Sequence, residues 1–301
     1  MQQTLRDIEI IIVDSGSTDG TIAIANRYPT KILSIRPEDF SFGHSLNVGC
    51  GAARGEFVAI VSGHVYPLYK DWLEQLLAPF KDQKTALAYG KQRGAETTRF
   101  SEHQVFAKWF AERSNLKQDH PFCNNANAAI RREIWEQLPY NEELTGLEDI
   151  DWARRAMQLG CKIAYVAEAE VVHVHKETPL QTYNRYRREA IALRRISPDE
   201  HFHLGDFLRL FLTNVFSDYV QALRDGPIVR EWPAILRFRL MQFWGTYRGF
   251  AHRTPVTSRL KQTFYYPNQA GARREKKLPQ RPAHGLRIDY QAGERLYRED
   301  H

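Results

Sequence analysis

The chain has 301 residues, of which 43% are hydrophobic and 26% charged, and its 42 Lys and Arg against 36 Asp and Glu leave a net charge of +6. These are globular proportions, which exclude a collagen-like, low-complexity or wholly disordered chain. Cys50, Cys123 and Cys161 are few, odd in number and far apart. That argues against a disulfide framework or a zinc site and points to a reducing, cytoplasmic setting. The opening residues do not read as a signal peptide, and no apolar run reaches the roughly 18 residues of a membrane span. The mild positive balance suits phosphorylated or anionic partners, or an acidic membrane face, and does not indicate nucleic acid.

Taken in chain order, Ile8–Val13 is a nearly continuous β-branched run, the pattern of a strand buried on both faces. It runs into the polar, Gly-punctuated loop Asp14–Thr21, and Ile22–Tyr28 reads as a helix. Strand, short loop and helix in that order mark an α/β fold, with ligands expected at the carboxyl ends of strands. Lys31–Ile35 is a second strand, Ser45–Ala53 a helix, and Phe57–Val61 a third strand ending at Ser62-Gly63-His64. Trp72–Phe80 is an amphipathic helix. Ala86–Tyr89 and Ala126–Arg131 read as strands and Arg132–Leu138 as a helix. Asp149–Leu159 is a helix stopped by Gly160, followed by strands at Lys162–Val166 and Val171–His175. Beyond residue 178 strand signals vanish: Phe207–Leu223 and Ile235–Tyr247 repeat at helical spacing, and Gln181–Arg195 is Arg-rich. The expected organisation is a catalytic α/β domain over 1–178, a helical extension over 179–269, and a basic, disordered tail over 270–301.

Two segments carry chemistry. The loop Asp14–Thr21 has backbone N–H groups and small side chains able to wrap a nucleotide; the plainer reading is a cap for the next helix. It lacks both the dinucleotide Gly-x-Gly-x-x-Gly fingerprint and the Gly-Lys-Ser/Thr phosphate loop. At Glu148-Asp149-Ile150-Asp151-Trp152, three carboxylates and an indole open a helix. Helix capping explains one or two acids there; a carboxylate held ionised in a cleft is also what a general base requires.

Together these pieces resemble the inverting family-2 glycosyltransferases, which have the GT-A fold. The resemblance rests on Ile10–Thr21, Asn47, Ala52–Glu56, Phe57–His64, Asp71–Leu73, Phe122–Asn127 and Glu148–Trp152, in order over roughly residues 5 to 190. Tyr89–Gln92 and Val172–His175 are similar to the bacterial rhamnosyltransferase-type subset that builds surface polysaccharide. The resemblance implies a Rossmann-like mixed sheet flanked by helices. It also implies transfer of a sugar from a nucleotide-diphosphate donor to a hydroxyl of a glycan or lipid-linked acceptor, with inversion. In that reading Asp149 is the base, Glu148 its support, and Asp14, Ser15, Ser17 and Asn47 contact the nucleotide. Trp152 and Asp151 meet the sugar or acceptor. A divalent cation, Mn²⁺ or Mg²⁺, would neutralise the leaving diphosphate.

The chain departs from the family in three places. Ser62-Gly63-His64 stands where most members carry Asp-x-Asp, so His64, completed by His175 or His173, is the expected metal ligand; the alternative is a hydrogen-bonded pair of strand histidines. Ser15 replaces a second base-binding Asp, leaving UDP, dTDP and GDP donors open. The resemblance also implies a buried strand and helix before Ile8, so a truncated reading frame is expected, and with it the rival reading of a catalytically impaired binding scaffold. The Gln-x-x-Arg-Trp motif of processive synthases is absent, which favours single addition. The helical stretches after residue 200 are expected to pack on the catalytic domain, with peripheral contact at the inner membrane face as the alternative.

Overall fold

The computed structural model describes residues 2–225, 228–265 and 288, so most of the basic tail expected over 270–301 lies outside the described residues. Its centre is a five-stranded mixed sheet of β3 (Phe57–Val61), β4 (Val65–Pro67), β5 (Thr85–Gly94), β6 (Asn127–Arg131) and β7 (Lys162–His173), in spatial order β3-β6-β5-β7-β4. β5 and β7 run parallel, and the other pairs are antiparallel. β1 (Ile10–Asp14) and β2 (Thr30–Ser34) pair in parallel as a separate ribbon, joined by the short helix α1 (Thr21–Ala25). Among the described residues β1 pairs only with β2, and β3 only with β6. The Glu9 side chain ties the ribbon to the sheet by accepting from the N–H groups of Arg54 (2.5 Å) and Gly55 (3.2 Å).

The alternation of side chains along each strand sorts the core into two layers. Leu87, Tyr89, Ile130, Ile163 and Tyr165 face one side, against Trp152, Ala153 and Ala156 of α6 (Glu148–Gln158). Ala88, Ala129, Ala164 and Val166 face the other, against Trp72, Leu73 and Leu76 of α3 (Trp72–Leu77) and against Phe80. Arg131 is only 2% exposed in this second layer, where its guanidinium bonds the Phe80 carbonyl (2.9 Å) and Glu56 (3.1 Å) and lies over the Phe57 and Phe80 rings. A buried cation is tolerated when its donors are satisfied in this way.

The two short strands expected at 162–166 and 171–175 are one continuous β7, and the strand expected at 86–89 extends to Gly94. Two register shifts along the β5–β7 ladder break the simple periodicity that would have shown their length. Besides α2 (Phe42–Ala52), the chain between β5 and β6 forms α4 (Phe100–Trp109), which sequence reading leaves unassigned, and α5 (Arg132–Gln137) follows β6. The helical region contains α7 (Pro179–Ile196), α8 (Leu204–Asp225), α9 (Ile228–Phe250) and α10 (Ser258–Tyr265). α7 opens with a full capping box between Thr178 and Gln181 and with Pro179 in its first turn. α9 crosses α7 closely: a Cβ on Gly245 would lie 2.5 Å from the Tyr183 carbonyl oxygen, so only glycine permits the approach. A buried ion pair, Asp218–Arg239 at 2.8 Å, joins α8 to α9, and Ser101 of α4 donates to the same carboxylate at 2.6 Å.

Candidate active site

The acidic segment is introduced by backbone strain. Leu147 has φ +56°, the one non-glycine residue with positive φ among the described residues, and it turns the chain directly into α6. Glu148 and Asp149 follow in the first turn, only 7% and 8% exposed. Asp149 accepts from the N–H groups of Asn125 (3.1 Å) and Ile150 (2.8 Å). Asn125's amide lies beside Glu148 without a well-formed hydrogen bond. Burial raises the pKa of both carboxyl groups above the ordinary range, and for Glu148 the neighbouring Asp149 adds to the rise while Arg188 opposes it. A raised pKa makes an ionised Asp149 a stronger proton acceptor than a free aspartate.

The remaining members of the acidic motif lie elsewhere. Trp152 is fully buried, donates from Nε1 to the Leu138 carbonyl (2.6 Å) and lies against Tyr140, so it is a core residue with no face for a sugar. Asp151 pairs with Arg155 one turn on, at 2.8 Å.

The polar loop after β1 is folded on itself. The Asp14 carboxylate accepts from the N–H groups of Gly16 (3.0 Å) and Ser17 (3.2 Å). The Ser17 side chain, outweighing burial, and these N–H groups hold its pKa below the ordinary value. Gly16 has φ +94°, and a Cβ there would lie 2.9 Å from Pro37. Ser15 is half-buried and Ser17 exposed. Asn47, expected at the nucleotide, instead uses its whole amide within the fold. Nδ2 donates to the Tyr140 carbonyl (2.9 Å) and Glu142 (2.8 Å), and Oδ1 accepts from Trp135 Nε1 (3.0 Å) and the Tyr140 N–H (2.9 Å). It ties α2 to α5 and to the segment after it rather than presenting a free polar atom.

His64, His173 and His175 form a cluster whose ligating atoms all lie within 4.8 Å of one another. Nε2 of His64 and Nε2 of His173 are 2.8 Å apart, a separation suited to sharing a proton or to ligating one ion. Gln92 Oε1 lies 2.7 Å from His173 Nδ1 and Glu102 Oε1 lies 3.1 Å from His175 Nδ1. Each acceptor places the ring proton on Nδ1 and leaves Nε2 bare, which is the tautomer a metal ligand needs. Burial and the neighbouring imidazoles lower the pKa values of His64 and His173, so both stay neutral. The residues present therefore fit a divalent cation with nitrogen ligands, although no carboxylate ligates directly.

The two groups are joined by α7. Its first turns line a cavity of about 160 Å³ with Glu177, Gln181, Asn184, Arg185 and Arg188, closed by Phe264 and Tyr265 of α10. Arg185 bonds Glu102 and Glu177, both at 3.0 Å, on the histidine side. Arg188 lies over the Phe42 and Tyr265 rings on the side of Glu148, and Tyr265 donates to the Thr145 carbonyl at 3.2 Å. Sequence reading names the arginine run and includes Gln92 and Asn125 in matching segments without giving either a role, and it misses Glu102 and Tyr265, which lie in no motif.

A mixed sheet with helices on both faces, a polar loop after the first strand and an acidic helix start define an α/β architecture of GT-A type. The mannosyltransferase PcManGT from Pyrobaculum calidifontis, solved with GDP-Man and Mn²⁺, shares this fold with a TM-score of 0.53 and 18% identity over 82% of this chain and 80% of its own. The model of the family described as "Glycosyl transferase family 2" matches residues 1–138. The O-antigen chain rhamnosyltransferase WbaN of Salmonella anatum is 34% identical over 62% of each chain. The O-antigen chain rhamnosyltransferase RfbN of Salmonella typhimurium is 29% identical over 62% of this chain and 63% of its own. The chain thus spans a little over three fifths of the length of these relatives.

Proposed function

We propose that this protein transfers a sugar, of rhamnosyl type, from a nucleoside-diphosphate donor to a hydroxyl of a growing surface glycan or its lipid-linked precursor, one sugar per encounter and with inversion. The observation that carries this reading is the arrangement along α7. Two arginines of α7 line one cavity: Arg188 is the cation beside the nearly buried Glu148, and Arg185 bonds Glu102, which holds His175 of the imidazole cluster. The likeness to two O-antigen rhamnosyltransferases supports the sugar and acceptor class.

In this mechanism the acceptor oxygen attacks the anomeric carbon from the face opposite the diphosphate. As that C–O bond forms, the bond to the phosphate oxygen breaks and its electron pair leaves with the nucleoside diphosphate. Asp149 accepts the hydroxyl proton, held in place by the Asn125 and Ile150 N–H groups, and Glu148 orients the acceptor. Asp14, Ser15 and Ser17 form the nucleotide-facing turn. His64, His173 and His175 would hold a divalent cation, with Gln92 and Glu102 fixing two of the rings. When bound there, such an ion supplies positive charge to a leaving diphosphate.

The reading is tested with Asp149→Asn, which keeps the side chain's shape and one acceptor oxygen. Transfer should fall by about 10²-fold or more while donor affinity, measured by titration calorimetry, is retained. A variant that turns over like the wild type removes Asp149 as base.

A further inference from the structure

The α8–α9 hairpin carries two apolar faces. Its inner face is buried through Phe207, Val215 and Ala222 of α8 and Ile235 and Phe238 of α9, which meets the expectation that these helices pack on the rest of the chain. The outer face is apolar as well. Leu204, Leu208, Leu212 and Phe216 recur every fourth residue along α8 and are between 49% and 71% exposed. Leu223 continues the row, and Trp232, Leu236 and Leu240 are exposed at the same spacing on α9. These eight are half of the sixteen exposed large hydrophobic residues among the described residues, concentrated on one hairpin rather than scattered.

The charges between them have one sign. Among the described side chains of α8 and α9, the exposed charged residues are Arg209, Arg224, Arg237 and Arg248. The carboxylates among the described side chains of these helices are buried or half-buried, and two of them pair with arginines. Asp218 is buried against Arg239, Asp206 is half-buried and bonds Arg209 and the His203 N–H, and Glu231 is half-buried. An exposed leucine row flanked by arginines, with no fully exposed acid among the described side chains, is the pattern of a helix lying in the plane of a bilayer, with cations at the headgroup level. Neither helix is long and apolar enough to cross one.

We propose that the outer face of α8–α9 docks on an anionic lipid bilayer. A second copy of the chain is the weaker fit, because a two-fold contact through this face would bring arginines together with no exposed carboxylate among the described side chains of the two helices to pair with them. The surface is separate from the carboxylate pair and the histidine cluster, so the inference stands apart from the sugar-transfer reading.

The test is co-sedimentation of the full chain with vesicles of phosphatidylglycerol in phosphatidylcholine, against phosphatidylcholine alone. Binding to the anionic vesicles is expected. Leu212→Glu with Phe216→Glu should lower the partition coefficient by at least about tenfold, since it removes apolar insertion and adds repulsion. Arg209→Gln and Arg224→Gln should each lower it about fivefold on anionic vesicles alone. All these positions are exposed, so the variants should melt like the wild type. Three results would overturn the proposal: no binding by the wild type, binding that the double variant leaves intact, or a dimer in analytical ultracentrifugation that the double variant dissociates. Transfer to a water-soluble acceptor, unchanged in the double variant, separates this outcome from a failure of the catalytic reading.

Discussion

Glu102 is the residue through which the histidine cluster can be examined without relying on turnover. It lies 3% exposed on α4, and its Oε1 accepts from both His175 Nδ1 (3.1 Å) and Arg185 Nη2 (3.0 Å). Burial pushes its pKa up, but the His175 hydrogen bond and the charge of Arg185 win, and the carboxyl group stays below the ordinary value. Glu102→Gln keeps the shape and one acceptor oxygen while removing the charge that holds the imidazole. The loss of a carboxylate behind a ligating histidine weakens metal binding 10- to 100-fold, about 1.4 to 2.7 kcal/mol. Arg185 is not stranded, because Glu177 remains at 3.0 Å, so the fold should lose no more than about 1–3 kcal/mol. The assay is Mn²⁺ titration by calorimetry, with thermal melts alongside and His175→Ala as the reference. Affinity for Glu102→Gln within about twofold of wild type, while His175→Ala abolishes binding, would refute a positioning role for Glu102. Affinity unchanged in both variants would remove the ion from the histidine cluster altogether.

Two further outcomes follow from the same geometry. Glu148 and Asp149 have pKa values raised above 4.5 and 3.8, so the fold favours their protonated forms. The stability they contribute is present in full below those ordinary values and is lost as pH rises through the folded ones, whereas transfer, which under the proposed function needs Asp149 ionised, should rise over that same window. Denaturant titrations across pH should show Glu148→Gln flattening this slope, and an unchanged slope would contradict the assignment. Gly90 sits where a Cβ would lie 2.1 Å from the Ala169 carbonyl oxygen and 2.3 Å from Asn127 Nδ2. Gly90→Ala must displace Asn127, which bonds the Ala169 carbonyl at 2.8 Å and accepts from Trp72 Nε1 at 3.0 Å, and should cost about 2–4 kcal/mol in urea unfolding. A loss below about 0.5 kcal/mol would show that the strands part without penalty.

The alternation of apolar residues made the central strands legible, because a sheet covered on both faces must be apolar along its length. The acidic helix start was legible for the same local reason: its residues are adjacent in sequence. Trp152 was not, although its helical spacing with Ala153 and Ala156 already placed it on the buried side of α6; proximity to two carboxylates in the sequence outweighed that periodicity. Gln92 and Glu102 lie 81 and 73 residues from the histidines they orient, and no local pattern reports a contact of that range. Asn47 fitted a family position, yet its four hydrogen bonds depend on Trp135, Tyr140 and Glu142, roughly 90 residues away. What single-sequence reading lacked was the long-range pairing that decides whether a polar atom is available.

That pairing also bears on the division expected near residue 178. Arg185 and Arg188 stand three residues apart on α7, about 4.5 Å along the axis. One is held by carboxylates beside the histidine cluster, the other by the Phe42 and Tyr265 rings beside Glu148. α4 reaches across through Ser101 to Asp218, and Tyr265 reaches back to Thr145. A helix fixed at its start by the Thr178 capping box and packed along its length on α9 therefore acts as a rigid spacer between the carboxylate pair and the histidine cluster. The end of β7 carries His173 and the start of α6 carries the two carboxylates, and α7 sets an arginine beside each group. Under the proposed function the helical region therefore belongs to the site, and transfer should depend on its seating against the sheet as directly as on the carboxylates themselves.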